Sequence, residues 1–337
     1  MGAIEHKVSA RAGLIGNPSD GYGGKTIAVP VRNFYATVRL WEIPDKIVIP
    51  HDASEFESSD DLLERTSTMG FYDAGRLVKA ATAVFLEYLK SVNKYTNDKK
   101  FEIDFSTTIP RMVGLAGSSA IITGTMKCLQ DFYGVKIKPE ISANLVWAAE
   151  KEKLWISGGL QDRVVQAFDD LVYMDFSEKA FKRNKKKYGN YKVLDKRILP
   201  NLYLLYQENP SESGMVHSNF QSRYTSDDAN IRNPIRKAMR QFAKLTDEFK
   251  EALLKQKFKK CAELQNRNFD IRRELCRDQN LGKENIEMIE IPRELGCSSK
   301  FSGSGGAVIG IYINEAYFQE LKEKIKDKPY KIERVIF

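Results

Sequence analysis

The chain has 337 residues, of which 42% are hydrophobic and 29% charged, a balance typical of globular proteins and a length sufficient for two domains. No apolar run approaches the roughly 20 residues that a membrane-spanning helix needs, and no apolar segment near the N-terminus suggests a secretory signal. The formal net charge is +8, but the basic run over 182–187 lacks the interleaved aromatic residues that stack on bases. We therefore expect neither a membrane nor a nucleic-acid partner, and the charge fits an anionic small molecule.

Four cysteines lie far apart in the sequence, at Cys128, Cys261, Cys276 and Cys297. They form no C-x-x-C pair, so the sequence suggests neither a structural zinc site nor a disulfide framework. This usage predicts reduced thiols and a cytoplasmic protein. The sequence leaves the oligomeric state open, and a monomer is the default expectation.

The first half of the chain contains both strand-like and helix-like patterns. Phe101, Ile103 and Phe105 alternate with polar residues, as in a half-buried strand, and 74–89 has the apolar spacing of an amphipathic helix. In chain order we predict strands around a polar loop over 6–40, a helix over 74–89, a strand over 101–107, helices over 121–133 and 141–151, and a strand over 171–176.

A charged stretch over 178–196 follows and predicts a domain boundary, which gives domains of residues 1–195 and 196–337. Beyond it we predict a strand over 201–206, helices with short turns over 228–277, a helix over 284–295, strand–turn–strand over 298–313, a helix over 315–326 and a strand over 330–335. Because the strands cluster instead of alternating strictly with helices, the pattern predicts an α+β fold.

The most informative segment is the loop over 110–120, Pro-Arg-Met-Val-Gly-Leu-Ala-Gly-Ser-Ser-Ala, which we call the second glycine motif. It lies between a predicted strand and a predicted helix. Glycines let backbone N–H groups approach an anion, and the start of a helix adds the positive end of its dipole. The two serines can offer hydroxyls to phosphate oxygens or Mg²⁺, although serine also caps helices at such junctions. The pattern predicts a nucleotide-phosphate site.

Two further glycine-rich segments lie at the ends of the chain: the first glycine motif over 10–24 and the third glycine motif over 300–307. Gly24-Lys25-Thr26 ends like a P-loop, but the required first glycine would fall at Ser19 and no helical pattern follows. The third motif leads into an apolar strand instead of a helix, which argues against a dinucleotide-binding fingerprint.

In this order, the three motifs resemble those of the GHMP kinases, which include galactokinase, homoserine kinase, mevalonate kinase and phosphomevalonate kinase. The first motif is similar to a galactokinase-type pattern, here Arg11, Leu14-Ile15-Gly16, Asp20 and Gly23-Gly24. The second resembles Pro-x-x-x-Gly-Leu-Gly-Ser-Ser-Ala with one additional residue, and the third resembles the glycine motif that supports the phosphate loop. The resemblance implies two domains, one similar to ribosomal protein S5 domain 2 and a C-terminal one that is ferredoxin-like.

Within the family, several segments look similar to plant glucuronokinases, namely 11–20, 108–121, 159–164, 171–176, 208–210, 268–270 and 300–308. Asn17-Pro18 stands where galactokinase-type motifs have Glu-His, which argues against galactose as the acceptor. The resemblance implies an ATP- and Mg²⁺-dependent kinase that phosphorylates the anomeric hydroxyl of D-glucuronate. Galacturonate, another hexose, a heptose or a mevalonate-type alcohol stay open as acceptors, as does a non-catalytic sugar sensor.

The resemblance also implies catalytic roles for two residues. Asp162 would take or orient the proton of the acceptor hydroxyl, and Arg11 would keep that aspartate ionised and stabilise charge on the phosphoryl group. The alternative for Asp162 is a carboxylate at a helix N-terminus. The expected phosphate-binding residues are Gly114, Leu115, Ala116, Gly117, Ser118, Ser119, Ala120, Gly303, Ser304 and Gly305.

Metal and substrate contacts complete the implied site. The expected Mg²⁺ ligands are Ser118, Ser119 and Glu150, although Glu150 by itself would be interpreted as a surface residue. Asp20 would bind sugar hydroxyls, with a plain turn aspartate as the alternative. A uronic acid needs a cation for its carboxylate, and a planar fork suits it well. The expected substrate-binding residues are Asp20, Arg163, Gly23, Gly24, Lys25 and His217, with Arg163 as the first choice for that cation.

Overall fold

The computed structural model describes residues 2–208 and 219–337. The strands are β1 (Ile4–Ile15), β2 (Lys25–Glu42), β3 (Ile47–Ile49), β4 (Ser54–Phe56), β5 (Phe101–Thr107), β6 (Val172–Asp175), β7 (Asn190–Val193), β8 (Leu202–Gln207), β9 (Lys300–Phe301), β10 (Ala307–Ile311) and β11 (Tyr330–Arg334). The helices are α1 (Ser59–Met69), α2 (Arg76–Ser91), α3 (Gly117–Tyr133), α4 (Pro139–Ala148), α5 (Gln161–Phe168), α6 (Glu178–Arg183), α7 (Phe220–Thr225), α8 (Ala229–Leu254), α9 (Phe258–Cys276), α10 (Asp278–Leu281), α11 (Lys283–Glu294) and α12 (Glu315–Lys324).

This mixture of helices and sheets confirms the predicted α+β class. The predicted strand over 101–107 matches β5, and the predicted helix over 121–133 is the greater part of α3. Among the elements that the structure describes, no helix has the length and apolarity needed to cross a membrane.

Some elements differ from the prediction for local reasons. The helix predicted over 141–151 ends at Ala148 and continues as a π-helical turn over Ala149–Lys153. The strand β3 is only three residues long and gives no periodic signal. Helix α1 is mostly polar, and its start is fixed by the Ser58 side chain, which accepts a hydrogen bond from Asp61 N at 3.1 Å.

The described residues form two compact units. The first takes its residues from 1–10, 34–109 and 116–169, and the second from 11–33, 110–115 and 170–337. These units are assembled from discontinuous stretches of chain, and the domain boundary expected after residue 195 stays a prediction.

The first unit contains a sheet in the order β4-β3-β5-β2, in which residues 36–42 of β2 pair antiparallel with β5 and β3 runs parallel to β5. Helices α2, α3, α4 and α5 contact one another. Gly124 lets α3 approach the sheet closely, because a Cβ there would lie 2.6 Å from Val38 Cγ2. The apolar face of α2, with Ala80, Ala81 and Phe85, is buried as its spacing predicts.

The second unit contains the antiparallel sheet β11-β8-β10-β9 and a ladder in which residues 25–28 of β2 pair with β6, and β6 with β7. Helices α8 and α9 pack together, and α9 and α11 contact β10. Aromatic side chains fill this core, and Tyr203, Phe242, Phe269 and Phe301 are almost wholly buried.

The register of β8 and β10 can be tested at Gly310, which pairs with Tyr203. A Cβ at Gly310 would lie 1.9 Å from Ser298 O and 2.5 Å from the Tyr203 ring. Because backbone must move to accept it, we expect Gly310→Ala to lower the free energy of unfolding in urea by at least about 3 kcal/mol. Gly134→Ala is the control, since no atom lies within 4 Å of its Cβ and only its left-handed backbone should cost about 1 kcal/mol. Equal losses in both variants would contradict this register.

Candidate active site

The second glycine motif bends through three left-handed residues before α3 begins. Met112 has φ +61°, Gly114 has φ +70° and Ala116, the N-cap of α3, has φ +64°. A left-handed alanine is strained by roughly 1–2 kcal/mol and has to be held by its surroundings. Its carbonyl accepts hydrogen bonds from Ala120 N at 3.1 Å, Ser119 Oγ at 3.2 Å and Gln166 Nε2 at 3.0 Å. The bend is therefore fixed by α3 and by a side chain of α5.

A buried ion pair lies beside the start of α3. Glu150, 1% exposed, is in the π-helical turn after α4, and its Oε2 accepts from Arg163 Nε at 2.6 Å. Its Oε1 accepts from Ser118 Oγ at 2.5 Å. Glu150 is thus not a surface residue, and its carboxylate lies beside the Ser118 hydroxyl; its metal role stays a prediction.

Ser118 and Glu150 supply a hydroxyl and a carboxylate, which are the hard oxygen donors that Mg²⁺ prefers alongside phosphates and waters. These two residues fit the expected ion. Ser119 fits less well, because it is buried and its hydroxyl turns back to Ala116 O. Among residues 2–208 and 219–337, no group of three or more His, Cys, Asp or Glu could hold a metal, so any ion here would depend on the nucleotide for further ligands.

Asp162 is the second residue of α5, where the helix dipole favours a negative charge. Its side chain is 20% exposed, and its Oδ2 lies 3.8 Å from Arg163 Nη1. Arg163 therefore lies between two carboxylates, those of Glu150 and Asp162. The first unit brings together Ser118, Glu150, Arg163 and Asp162. This arrangement is compatible both with a catalytic role for Asp162 and with a carboxylate that only lies at a helix N-terminus.

In the second unit, Arg11 joins all three glycine motifs. This β1 residue is 4% exposed, and its Nη1 donates to Gly114 O at 2.9 Å and to Ser302 O at 3.2 Å. Its backbone N–H donates to Leu115 O, and Gly13 N donates to Ser302 O at 2.8 Å. The contacts that the structure shows for Arg11 are thus to backbone carbonyls, and its catalytic role stays a prediction.

The second and third motifs touch through their backbones. A Cβ at Gly303 would lie 2.3 Å from Gly114 O, and a Cβ at Gly306, where φ is +77°, would lie 2.8 Å from Val113 Cα. Only glycine permits this approach. The third motif therefore supports the loop in the way that the resemblance implied.

Two buried cations that sequence reasoning gave no role lie against the third motif. Arg272, on α9, donates to Gly303 O at 2.8 Å and to Ser304 O at 2.7 Å. Lys300 donates through Nζ to Gly13 O and Phe301 O, both at 2.6 Å. Burial lowers the pKa of Lys300 well below its usual range, and the nearby charges of Arg272 and Arg11 lower it further.

A polar face of α9 also holds the first motif. Gln265 Nε2 donates to Leu14 O at 3.1 Å, and Asn268 accepts from Gly16 N at 2.7 Å. Gln265, Asn268 and Arg272 are spaced three and four residues apart, so they lie on one face of the helix. That periodic polar pattern was the sequence signal that could have revealed these residues.

The expected substrate residues lie in and near the first motif. Asp20 is half-buried in a single 3₁₀ turn, Ser19–Tyr22, and its charge adds to the burial that raises the pKa of Tyr22 to about 12. Gly23 closes that turn with φ +70°, and Gly24 packs on Ser19, where a Cβ would lie 2.2 Å from Oγ.

Two of the cations expected to bind the substrate carboxylate have acidic partners. Lys25 Nζ pairs with Asp247 Oδ2 at 2.6 Å, and Tyr173 donates to Asp247 Oδ1 at 2.9 Å. Arg163 is 3% exposed and pairs with Glu150. This pairing argues against Arg163 as the first choice for binding the substrate carboxylate. His217 lies outside the described residues.

Comparison with known proteins agrees with this geometry. Residues 76–170 match the family described as GHMP kinases N terminal domain. The chain is 44% identical over 314 residues to a protein named probable glucuronokinase 2 of Arabidopsis thaliana, and the match covers 91% of this chain and 84% of that protein. The chain belongs to the GHMP kinase family. It is a phosphotransferase with an alcohol group as acceptor, as the sequence predicted.

Two further proteins are similar to this GHMP kinase, one in sequence and one in fold. Glucuronokinase 1 of Arabidopsis thaliana is also 44% identical, over 312 residues that cover 91% of this chain and 84% of that protein. The crystal structure of Lactococcus lactis galactokinase complexed with galactose superposes with a TM-score of 0.76 at 16% identity, covering 99% of this chain and 93% of that one. At that identity the likeness confirms the fold alone.

The buried Lys300 gives this kinase a testable pH dependence. An unfolded lysine keeps its proton up to about pH 10.4, whereas the folded chain releases it at a lower pH. The unfolded state therefore binds more protons between those two pKa values, and stability rises with pH there by at most about 1.4 kcal/mol per unit. In urea unfolding, we therefore expect the native chain to gain stability relative to Lys300→Met as the pH rises from 7 to 10. Parallel curves would contradict the lowered pKa.

Proposed function

We propose that this kinase transfers the γ-phosphoryl group of ATP to the anomeric hydroxyl of D-glucuronate, which gives glucuronate 1-phosphate and ADP. The observation that carries the proposal is the 44% identity, over 91% of the chain, to two proteins named glucuronokinases. Two hydrogen bonds support it, one in each unit: Ser118 Oγ donates to Glu150 Oε1 in the first, and Arg11 Nη1 donates to Gly114 O in the second. The four cysteines are buried free thiols, which supports the proposed cytoplasmic location.

The proposed nucleotide site is the second glycine motif with the turn of the third. Backbone N–H groups from Gly114 to Ser119, together with those of Gly303, Ser304 and Gly305, would hold the phosphate oxygens, with Ala120 beside them, and α3 adds the positive end of its dipole. Ser118 and Glu150 would hold Mg²⁺, which when bound neutralises charge on the phosphates. Arg163 keeps the Glu150 carboxylate in place for that task.

The proposed role of Asp162 is to accept or orient the proton of the acceptor hydroxyl as its oxygen attacks phosphorus. Arg163 Nη1 lies 3.8 Å from the Asp162 carboxylate. An anomeric hydroxyl is more acidic than an ordinary alcohol, so a weak base suffices. Arg11 would act on the transferred group, in addition to the carbonyls it holds in this structure.

The proposed acceptor contacts come from the first motif. Asp20, with Gly23 and Gly24 beside it, would bind sugar hydroxyls, since a carboxylate accepts two hydrogen bonds at once. Binding of the uronate carboxylate by Lys25 would exchange the existing pair with Asp247 for one with the substrate. Binding by Arg163 would compete with Glu150 in the same way.

An acceptor panel tests the proposed substrate. ADP release would be measured with D-glucuronate, D-galacturonate, galactose, glucose and mevalonate at saturating ATP. We expect the highest kcat/KM with D-glucuronate, because the chain is 44% identical over 91% of its length to two proteins named glucuronokinases. If no uronic acid is turned over and another acceptor is, the proposed substrate is wrong and membership of the kinase family stands.

The role of Asp162 is tested by Asp162→Asn, which keeps the shape of the side chain and removes its charge. We expect kcat to fall by roughly 10²- to 10⁴-fold, the usual contribution of a general base. Glu152→Gln is the matched control, because Glu152 is exposed in the neighbouring π-helical turn and its loss removes the same charge. Unchanged kcat in a folded Asp162→Asn variant would show that the carboxylate only stabilises the N-terminus of its helix.

A further inference from the structure

Arg272 and Lys300 are buried without an ion pair. They are 4% and 1% exposed, and among the residues that the structure describes neither contacts a carboxylate. A buried charge is costly unless an opposite charge or strong hydrogen bonds offset the loss of water. Backbone carbonyls supply the hydrogen bonds here, but the opposite charge has to come from something that binds.

The carbonyls that Arg272 holds are those of two successive peptides, Gly303 and Ser304. In a trans peptide the C=O and the following N–H point in opposite directions. Drawing these carbonyls towards Arg272 therefore aims the N–H groups of Ser304 and Gly305 away from it. Neither N–H finds an acceptor in the described part of the chain, and Gly305 is buried.

The same arrangement recurs on the second glycine motif. Arg11 donates to Gly114 O, and the N–H of the same peptide belongs to Leu115, which is 1% exposed and likewise finds no acceptor among residues 2–208 and 219–337. Buried cations thus lie on the carbonyl side of these turns, and unsatisfied amide donors lie on the other. Aligned amides backed by positive charge form a site for an anion.

We propose that Arg272 is a positioning residue of the nucleotide site: it fixes the turn at Gly303 and Ser304 so that the amides of Ser304 and Gly305 face the polyphosphate of ATP or ADP. Lys300, at the start of the same motif, holds the carbonyls of Gly13 and Phe301. The inference rests on the proposed function, because it takes the bound anion to be a nucleoside polyphosphate.

An arginine is required at position 272 for a geometric reason. Its planar fork spans two neighbouring carbonyls at 2.8 and 2.7 Å, and its guanidinium carbon lies 4.9 Å from the centre of the Phe301 ring, which sets the plane of the fork. Its Nε is buried with no hydrogen-bond partner in the described structure. A lysine would keep the charge, but it could not hold both carbonyls in one plane.

Arg293 is a matched control for this residue. It lies 5.1 Å from the Phe269 ring centre and donates to Asn266 O and Ser299 O at 2.9 and 3.2 Å. Arg293 differs from Arg272 in two respects. It has an ion pair with Asp270, and the carbonyls to which it donates precede the third motif in the chain. Its loss should therefore weaken the fold without altering the turn at 303–305.

The experiment measures ADP and AMP binding to the full chain by calorimetry, for the native protein, Arg272→Gln, Arg272→Lys and Arg293→Gln. We expect Arg272→Gln to weaken ADP binding by about 10- to 100-fold, the usual range for a lost charged hydrogen bond. AMP affinity should change by less, and Arg272→Lys should recover part of the ADP affinity. Arg293→Gln should lower the unfolding temperature and leave ADP binding unchanged.

Native ADP affinity in a folded Arg272→Gln variant, or an equal loss in Arg293→Gln, would overturn the proposal. If Arg272→Gln does not fold, Arg272→Lys decides alone, because native ADP affinity in that variant would overturn the need for a fork. ADP binding requires no acceptor, so failure of glucuronate turnover leaves this inference standing. A native chain that binds no ADP would overturn both.

Discussion

The close approach of two backbones, at Gly114 and Gly303, is the constraint on which the rest of the site depends. Any side chain at Gly303 would collide with the carbonyl of Gly114, so the second and third motifs can meet only because both are built from the smallest residues. Arg11 then ties this contact to β1 through hydrogen bonds to carbonyls in both motifs. Three segments separated by nearly the whole chain thereby meet, and backbone donors of the second and third would suit the spread negative charge of a polyphosphate.

Buried charge is handled differently in the two units. In the first, Arg163 and Glu150 neutralise each other, and the same pair fixes the Ser118 hydroxyl. In the second, Arg272 and Lys300 donate hydrogen bonds to backbone carbonyls. Such groups add little net stability, because desolvation offsets much of the attraction. Their effect is on geometry: they select one conformation of loops that glycine would otherwise leave free to vary.

Much of the fold and part of the site could be predicted from sequence. The alternation at Phe101, Ile103 and Phe105 defined β5, because strand periodicity depends only on local burial. Glu150 shows the limit: next to Lys151 it has the pattern of a surface residue, and only the π-helical turn after α4 turns it inward. Arg163 was predicted to bind substrate, but the structure places a carboxylate against it, which no local pattern reveals.

The sequence by itself determined the α+β class, because strand and helix periodicity are properties of neighbouring residues, and the resemblance of its three glycine motifs indicated the kinase family. Only the tertiary structure decided which charges are paired and which carbonyls hold them. Asn268 and Arg272 act on backbone more than 25 residues away in the chain. Such partners are chosen by the packing of α9 against distant turns, since a hydrogen bond depends on position in space and leaves no trace in sequence spacing.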